Sequence, residues 1–304
     1  MKNILLANGE LNASEISLGC MRISRLSEKE ASELIGTALE EGINFFDHAD
    51  VYGDGKSEET FAKAIGMTPA VREKILLQSK CGIRDGYYDF SKEHILAAVD
   101  GSLKRLKTDY LDVLLLHRPD TLMEPEEVAE AFRILHASGK VRYFGVSNQN
   151  PMQMELLNRS LGSKIVINQL QLSIATSGIL DSGICVNMNT GNAFQDGSIL
   201  EYCRLNNITI QAWSPFQYGF FEGSFIGSDK FPELNQMLGT IAAEKGVAPE
   251  AVAVAWILRH PAKIQPIVGT TNPKRLRAIC QASQAELSRK EWYGLYRAAG
   301  HPIP

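Results

Sequence analysis

Short apolar runs of strand length alternate with amphipathic segments of helical spacing along almost the whole chain, and this alternation constrains the fold more than any other feature. Continuous apolar strands separated by helices are typical of a parallel sheet that helices cover. Eight strand and helix units favour closure of the sheet, so the sequence predicts an α/β protein with a (β/α)8 TIM-barrel fold. The predicted strands are 16–19, 44–47, 75–80, 111–117, 141–148, 164–169, 208–215 and 264–269.

The signals for helix ends agree with this alternation. Ser27 and Glu30 have the spacing of a capping box, and the helix that follows them is predicted to end at Gly42. Residues 3–18 alternate loosely around Asn8-Gly9, which predicts a short N-terminal β-hairpin. No linker or shift in composition divides the chain, so one domain is expected over residues 1–304. The predicted helices are 27–42, 57–66, 91–106, 125–138, one that starts at Pro151, 197–206, 232–246, 249–260, 273–281 and 288–299.

One region, residues 172–197, has neither a helical nor a strand period and is rich in Ser, Gly, Asn and Thr. It is predicted to be a long loop, and long loops on a barrel are usually functional or mobile. The pattern of residues does not indicate a particular role.

Composition and charge exclude several classes of protein. A formal net charge of -4 gives no basic surface for nucleic acid or for an anionic membrane. The apolar run at residues 4–7 is too short for a signal peptide, and no run reaches the length of a membrane span. We therefore expect a cytoplasmic protein with no obligate protein partner. Its five cysteines are odd in number and widely spaced, so we expect them to be reduced and mostly structural.

Three of the predicted strands end close to side chains that can hold or transfer a proton. Asp47 ends one strand, Tyr52 follows it in the next loop, and Lys80 and His117 end two others. In a parallel barrel these ends meet at one rim. A lysine ammonium stabilises a nearby phenolate and so lowers a pKa that is ordinarily ~10, and a carboxylate holds the ammonium in place. These residues therefore predict a tyrosine acid beside a histidine that orients a carbonyl group.

Such a site can protonate an alkoxide, but it has no obvious nucleophile and no set of metal ligands. The electrons must then come from a cofactor, as hydride. His48 beside Asp47 suggests a metal pair, but adjacent strand residues point to opposite faces, so no metal site is expected. The segment 53–57 has neither of the known phosphate-loop spacings and is predicted to be a turn that leads into a helix.

Seven short motifs stand at or near the ends of the predicted strands. They are Phe46-Asp47-His48-Ala49-Asp50-Val51-Tyr52-Gly53, Ser79-Lys80, Leu116-His117, Gly145-Val146-Ser147-Asn148, Asn168-Gln169, Trp213-Ser214-Pro215 and Gly269-Thr270-Thr271-Asn272. In this order they resemble the motifs of the aldo-keto reductase superfamily, of the bacterial NADPH-dependent oxidoreductase type, and the resemblance covers residues 10–281. The resemblance implies reduction of an aldehyde, ketone or quinone carbonyl to the alcohol with NAD(P)H. It implies that Tyr52 donates the proton, that Lys80 and Asp47 tune it, and that His117 orients the carbonyl.

The resemblance also implies which residues hold the cofactor. Ser147, Asn148 and Gln169 would bind the nicotinamide carboxamide. Trp213 would stack on the nicotinamide ring, and Arg275 would bind the 2′-phosphate of NADPH. The other expected cofactor contacts, on strand ends and the loops that leave them, are Met21, Arg22, Ser214, Pro215, Phe216, Gly269, Thr270 and Thr271.

Two departures from the family's pattern bear on the choice of cofactor. Gly269 stands where animal members often have a lysine, and Ala278 and Ile279 stand where they have an acid and an amide that face the adenine. One of two phosphate contacts is therefore missing. NADPH is expected through Arg275, with NADH as the alternative cofactor.

Two other functions agree with part of the sequence. A nucleotide-binding regulatory or redox-sensing barrel, like the aldo-keto reductase barrels that serve as potassium channel subunits, predicts tight NADPH binding with little turnover. A metal-dependent barrel hydrolase predicts activity that is lost with chelators, and both Lys80 and the lack of a histidine cluster disfavour it. A small-molecule carbonyl compound is the expected substrate, and the sequence does not indicate which one.

Overall fold

A closed barrel of eight parallel strands forms the centre of the protein, which confirms the predicted (β/α)8 fold. The structure is a computed structural model that describes residues 1–162, 164–186 and 198–303. The strands of these residues are β1 (Asn3–Leu6), β2 (Leu11–Ser14), β3 (Ser17–Gly19), β4 (Phe45–Asp47), β5 (Leu76–Cys81), β6 (Leu111–Leu116), β7 (Val141–Ser147), β8 (Ile167–Gln171), β9 (Thr209–Trp213), β10 (Gln217–Tyr218), β11 (Gly223–Ser224) and β12 (Gln265–Val268). The barrel order is β12, β3, β4, β5, β6, β7, β8 and β9, and β12 pairs with both β3 and β9.

Helices surround the barrel, and most of them begin where the sequence predicts. At the start of the first helix, Ser27 and Glu30 form the predicted capping box. Across the described residues the α-helices are α1 (Glu28–Glu40), α2 (Lys56–Ala64), α3 (Pro69–Arg72), α4 (Lys92–Leu106), α5 (Pro125–Ala137), α6 (Pro151–Asn158), α7 (Gly178–Ile184), α8 (Ile199–Leu205), α9 (Pro232–Lys245), α10 (Pro249–Leu258), α11 (Pro273–Cys280) and α12 (Arg289–Ala298). None of these helices has both the length and the apolar character needed to cross a membrane.

The predicted N-terminal hairpin is present and covers the amino-terminal end of the barrel. β1 pairs with β2 in antiparallel register, with Leu6 opposite Leu11. Leu6, Leu11 and Ala13 are buried in one cluster with Phe45 and Val113 from the barrel strands. The hairpin therefore closes the end of the barrel that lies away from the carboxyl ends of the strands.

A chain of amide side chains crosses the barrel interior. Gln78 Nε2 donates to Asp47 Oδ1 at 2.6 Å and to Gln211 Oε1 at 2.8 Å. Gln211 Nε2 donates in turn to Gln265 Oε1 at 2.8 Å, and Gln265 Nε2 donates to the Ser14 carbonyl oxygen at 2.7 Å. All three glutamines are fully buried, so these hydrogen bonds fix their orientation. The chain of amides connects the hairpin to Asp47 at the opposite end of the barrel.

Strand β7 passes close to its neighbours at Gly145, where no side chain has room. A Cβ atom there would lie 2.5 Å from Leu115 Cδ2 and 2.7 Å from the Ile167 carbonyl oxygen. Such distances are incompatible with close-packed side chains. The glycine thus allows the packing that sets the position of Ser147, two residues further along the strand.

Three elements do not appear in the sequence prediction: α3, the small β10 and β11 hairpin, and α7. The prediction of a structureless loop over 172–197 is wrong at Gly178–Ile184, which form α7. This short helix has no side-chain cap and is held by tertiary contacts, since Tyr296 Oη donates to Asp181 Oδ1 at 2.7 Å and Ser177 Oγ donates to the same atom at 2.8 Å. Residues 187–197 of the predicted loop lie outside the described residues.

Candidate active site

A cleft of about 540 Å³ opens at the carboxyl ends of the barrel strands. Asp47, Tyr52 and His117 line the cleft, and Lys80 lies behind them with no exposed surface. The predicted catalytic residues therefore come together. Every residue predicted to contact the cofactor also lines this cleft, namely Met21, Arg22, Ser147, Asn148, Gln169, Trp213, Ser214, Pro215, Phe216, Gly269, Thr270, Thr271 and Arg275.

Lys80 forms the centre of a buried network. Its Nζ atom donates to Asp47 Oδ2 at 2.8 Å, to the His48 carbonyl oxygen at 2.8 Å and to Tyr52 Oη at 3.1 Å. Burial alone would lower the pKa of Lys80, but Asp47 and Tyr52 raise it above its ordinary value. The amine is therefore an ammonium ion, and all three of its protons have an acceptor.

The Tyr52 phenol differs in one respect from the sequence prediction. Burial raises its pKa above the ordinary value, Lys80 lowers it, and Asp47 raises it again. The lysine therefore acts in the predicted direction, but desolvation of the phenolate, which the sequence does not indicate, outweighs the ammonium charge, so the net pKa is raised. Tyr52 holds its proton at neutral pH.

His117 directly follows β6, and its ring meets the Tyr52 ring edge-on with 5.8 Å between the ring centres. Burial, Lys80 and Arg118 hold the pKa of His117 well below its ordinary range. The imidazole is therefore neutral at pH 7. Its Nδ1 atom is buried and has no hydrogen-bond partner among the described residues. A neutral histidine beside a protonated tyrosine can donate a hydrogen bond without competing for the tyrosine's proton.

Polar side chains from three strands meet on one wall of the cleft. Ser147 Oγ donates to the Gln169 carbonyl oxygen at 2.9 Å and accepts from Asn148 Nδ2 at 2.7 Å. Trp213 Nε1 donates to Asn148 Oδ1 at 3.1 Å. Asn148 and Ser214 have φ angles of 58° and 55°, a conformation that costs of order 1–3 kcal/mol and is common at functional sites. The four residues predicted to bind the nicotinamide thus lie side by side, with the Gln169 side-chain amide donating to Asp47 Oδ1 at 3.1 Å.

The other end of the cleft carries positive charge. The Arg22 guanidinium lies next to Gly269, since Nη2 would be 3.5 Å from a Cβ atom on that glycine. Arg275 lies close to Arg22, and the pKa of Arg22 is lowered by burial and then by Arg25 and Arg275. Arg275 Nε is 3.3 Å from Glu250 Oε1. Two guanidinium groups, those of Arg22 and Arg275, therefore lie together at the end of the cleft where the sequence predicts only Arg275 as a contact of the 2′-phosphate.

The amino terminus of α11 adds to the same end of the cleft. Thr270, Thr271 and Asn272 line the cleft directly before the helix, and Asn272 caps it by accepting a hydrogen bond from the Arg275 amide at 3.1 Å. The first amides of a helix and its dipole attract anions. This end of the cleft is suited to phosphate groups.

Several residues of the cleft escape the sequence prediction. Arg118 follows His117 directly, and its guanidinium carbon lies 5.5 Å from the Trp213 ring centre. Its position directly after a strand end could have identified it. Phe221, on the loop between β10 and β11, also lines the cleft and stacks on Trp213 with 5.7 Å between ring centres, a place that its closeness to Trp213 in the sequence indicates. Gly19, Ser224 and Ile267 also line the cleft.

Three other features of the sequence that could suggest a functional site have a structural role instead. His48 is fully buried and meets the Phe61 ring at 4.6 Å between ring centres. The segment 53–57 forms the predicted turn, and α2 begins at Lys56. Cys81 is buried, and burial raises the pKa of its thiol well above the ordinary value. Among the described residues, no group of three His, Cys, Asp or Glu side chains is arranged to hold a metal ion.

Comparison with known proteins agrees with this geometry. A sequence model described as "Aldo/keto reductase family" matches residues 15–297. The chain belongs to the aldo/keto reductase family. The closed barrel of eight parallel strands agrees with this membership.

The related proteins match over nearly their full length. An uncharacterized oxidoreductase, YcsN, of Bacillus subtilis is 39% identical over 100% of both chains. A 6-dehydroglucose reductase of Agrobacterium fabrum is 34% identical over 98% of both chains. Among solved structures, an aldo/keto reductase from Klebsiella pneumoniae in complex with NADP and acetate is 25% identical, with a TM-score of 0.80 over 100% of this chain and 97% of that chain.

Proposed function

We propose that this member of the aldo/keto reductase family reduces the carbonyl group of an aldehyde, ketone or quinone with NADPH, and that Tyr52 is the proton donor. The observation that carries the proposal is the position of Lys80 Nζ, 2.8 Å from Asp47 Oδ2 and 3.1 Å from Tyr52 Oη in a buried site. An apolar pair would stabilise the fold at least as well as a buried ammonium ion in contact with a phenol. The stability of the fold therefore does not explain this contact. The ammonium ion does stabilise the phenolate that remains once a proton has been given away.

The residues of the cleft fit a nicotinamide dinucleotide. Ser147, Asn148 and Gln169 would hold the carboxamide at the catalytic end, and Trp213 would cover the ring. Arg22, Arg275 and the amino terminus of α11 would hold the phosphates at the other end. NADPH supplies a hydride to the carbonyl carbon when it is bound. The support for this fit is the polar wall beside Trp213 and the guanidinium of Arg22, which has no ion-pair partner among the described residues.

The side chains of the protein handle the proton. The pKa of a phenol is ordinarily ~10, and burial raises that of Tyr52 further, so Tyr52 is protonated at neutral pH and enters the reaction as an acid. It would give this proton to the carbonyl oxygen, and Lys80 would then stabilise the phenolate. His117 is neutral because its pKa is low, and it would donate a hydrogen bond to the same oxygen.

The two guanidinium groups favour NADPH over NADH. Gly269 stands where animal members of the family often have a lysine, so one of two phosphate contacts is missing there. Arg22 fills the space beside that glycine and would supply the second cation. A 2′-phosphate would then lie between Arg22 and Arg275.

The proposal is tested by following nicotinamide absorbance with NADPH and with NADH against a panel of quinones, aldehydes and ketones. 6-Dehydroglucose belongs in the panel because two relatives, 34% and 32% identical, carry the name 6-dehydroglucose reductase. Oxidation of NADPH with a carbonyl compound is expected. Tight NADPH binding without turnover of any compound would instead favour a nucleotide sensor.

The choice of cofactor is tested with the variant Arg22→Ala. Its KM for NADPH should rise about tenfold or more, because a charge-assisted hydrogen bond to phosphate is lost, while its KM for NADH stays nearly the same. The matched control is Arg25→Ala, which removes an exposed neighbouring arginine that does not line the cleft. An equal effect of Arg22→Ala on both cofactors would contradict contact with the 2′-phosphate.

A further inference from the structure

Arg118 lies at the catalytic end of the cleft, directly after His117. Its guanidinium carbon is 5.5 Å from the ring centre of Trp213 and 5.6 Å from that of Phe220. Within the described residues it forms no hydrogen bond and no ion pair. The side chain is half-buried, so its charge is held against two aromatic rings in a site that is partly shielded from water.

The cleft as a whole carries an excess of positive charge. Arg22, Arg118 and Arg275 line it, and the only acidic side chain among the described lining residues is Asp47. That carboxylate is already bound by Lys80 and by two amide side chains. This excess arises in a chain whose net charge is -4, so it is local to the cleft.

The three arginines form two separate sets. The pKa of Arg22 is lowered by burial and then by its neighbours Arg25 and Arg275, and of these two neighbours only Arg275 lines the cleft. Arg118 instead lowers the pKa of His117, after burial and Lys80. NADPH phosphates would therefore neutralise Arg22 and Arg275 and leave Arg118 without a counter-charge beside the reacting carbonyl.

We propose that Arg118, held against Trp213 and Phe220, binds a carboxylate on the substrate, so that the preferred substrates are aldehydes or ketones that carry a carboxylate group. This inference rests on the proposed reductase function. A guanidinium can bind a carboxylate through two parallel hydrogen bonds, and the contact is stronger where aromatic rings exclude water. A carboxylate also matches the charge of the cleft, because Asp47, the only acidic side chain among the described lining residues, already accepts hydrogen bonds from Lys80 and from two amide side chains.

The experiment compares succinic semialdehyde with its methyl ester, which has the same chain and no charge, and with glyceraldehyde as a neutral polyol. For the native protein, kcat/KM with the carboxylate should exceed that with the ester by at least about tenfold. In Arg118→Met, which keeps the apolar stem, the ratio of the two values should fall by about 10- to 100-fold. In Arg118→Lys the ratio of kcat/KM for the carboxylate to kcat/KM for the ester should be only partly reduced, since lysine keeps the positive charge but cannot form two parallel hydrogen bonds.

The matched control is Arg133→Met, which removes an exposed arginine on α5 and should leave the ratio unchanged. A ratio that is the same in the native protein and in Arg118→Met would overturn the inference and leave the proposed reductase function intact. A native preference for glyceraldehyde over succinic semialdehyde would overturn it as well, in favour of a polyol site.

A binding measurement separates the two proposals if no compound is reduced. Succinate is titrated into the protein with NADP⁺ present, and the quenching of tryptophan fluorescence is followed. Binding that Arg118→Met weakens at least about tenfold would support the carboxylate site even where the reductase function fails. Binding that does not depend on Arg118 would overturn the inference.

Discussion

Replacing Lys80 with methionine tests the electrostatic role that the structure gives to this lysine. Lys80 Nζ lies 3.1 Å from Tyr52 Oη, and two unit charges at this separation attract each other by about 5 kcal/mol at an effective dielectric constant of ~20. Part of this is offset by desolvation, and opposite charges at such distances usually shift a pKa by about 1–3 units. We therefore expect the pKa of Tyr52 to rise by about 2 units in Lys80→Met, which corresponds to about 3 kcal/mol.

The assay follows NADP⁺-dependent oxidation of the alcohol product, because this direction needs Tyr52 as the phenolate. Below its pKa the phenolate fraction falls tenfold for each pH unit. The oxidation rate at a fixed pH between 8 and 10 should therefore fall by about 100-fold in Lys80→Met, with the acidic limb moved to higher pH.

The double variant Asp47→Asn/Lys80→Met is the control, since the single variant leaves a buried carboxylate without its counter-ion. A lone buried carboxylate both destabilises the fold by about 3–5 kcal/mol and raises the pKa of Tyr52 further. The double variant should therefore unfold at a higher denaturant concentration than the single variant and show a smaller shift of the acidic limb. Oxidation rates and pH profiles like those of the native protein in both variants would refute the reasoning.

Three further predictions concern stability and are measured by urea denaturation. Burial lowers the pKa of His48 to about 3, and its two buried ring nitrogens have no partners among the described residues. The unfolded chain therefore takes up a proton near pH 6.5 that the folded chain does not, and stability falls by about 2 kcal/mol between pH 6.5 and 4.5 from this group. His48→Leu should remove this acid-dependent loss. Gly145→Ala should destabilise by about 2 kcal/mol or more, because of the clash with Leu115. Ser27→Ala should cost about 1 kcal/mol through loss of the capping box.

The sequence predicts the barrel well because its signals are local. Each strand is a continuous apolar run, and helix starts such as Ser27 carry their own capping residues. The meeting of the proposed catalytic residues could be predicted for a related reason. Parallel strands bring their carboxyl ends to one rim, so Asp47, Lys80 and His117 had to meet once the topology was known.

The parts that could not be predicted depend on contacts between distant residues. Helix α7 has no cap and is held by Tyr296, which is 115 residues away along the chain. The net pKa of Tyr52 depends on burial, which outweighs Lys80 and has no signature in the sequence. Arg22 is an expected cofactor contact, but its position beside Gly269 depends on the meeting of two separate strand ends. The sequence therefore did not indicate that Arg22 would supply the second guanidinium at the phosphate end.

The measurement that tests the central claim most directly is NADPH-dependent carbonyl reduction by Tyr52→Phe. Loss of the phenol proton should lower kcat by about 10²- to 10⁴-fold, the usual contribution of a general acid, while the affinity for NADPH stays within about twofold. Tyr293→Phe, at a tyrosine on α12 outside the cleft, is the control and should reduce the substrate like the native protein. A Tyr52→Phe variant with kcat within tenfold of the native value would contradict the assignment of Tyr52 as the proton donor.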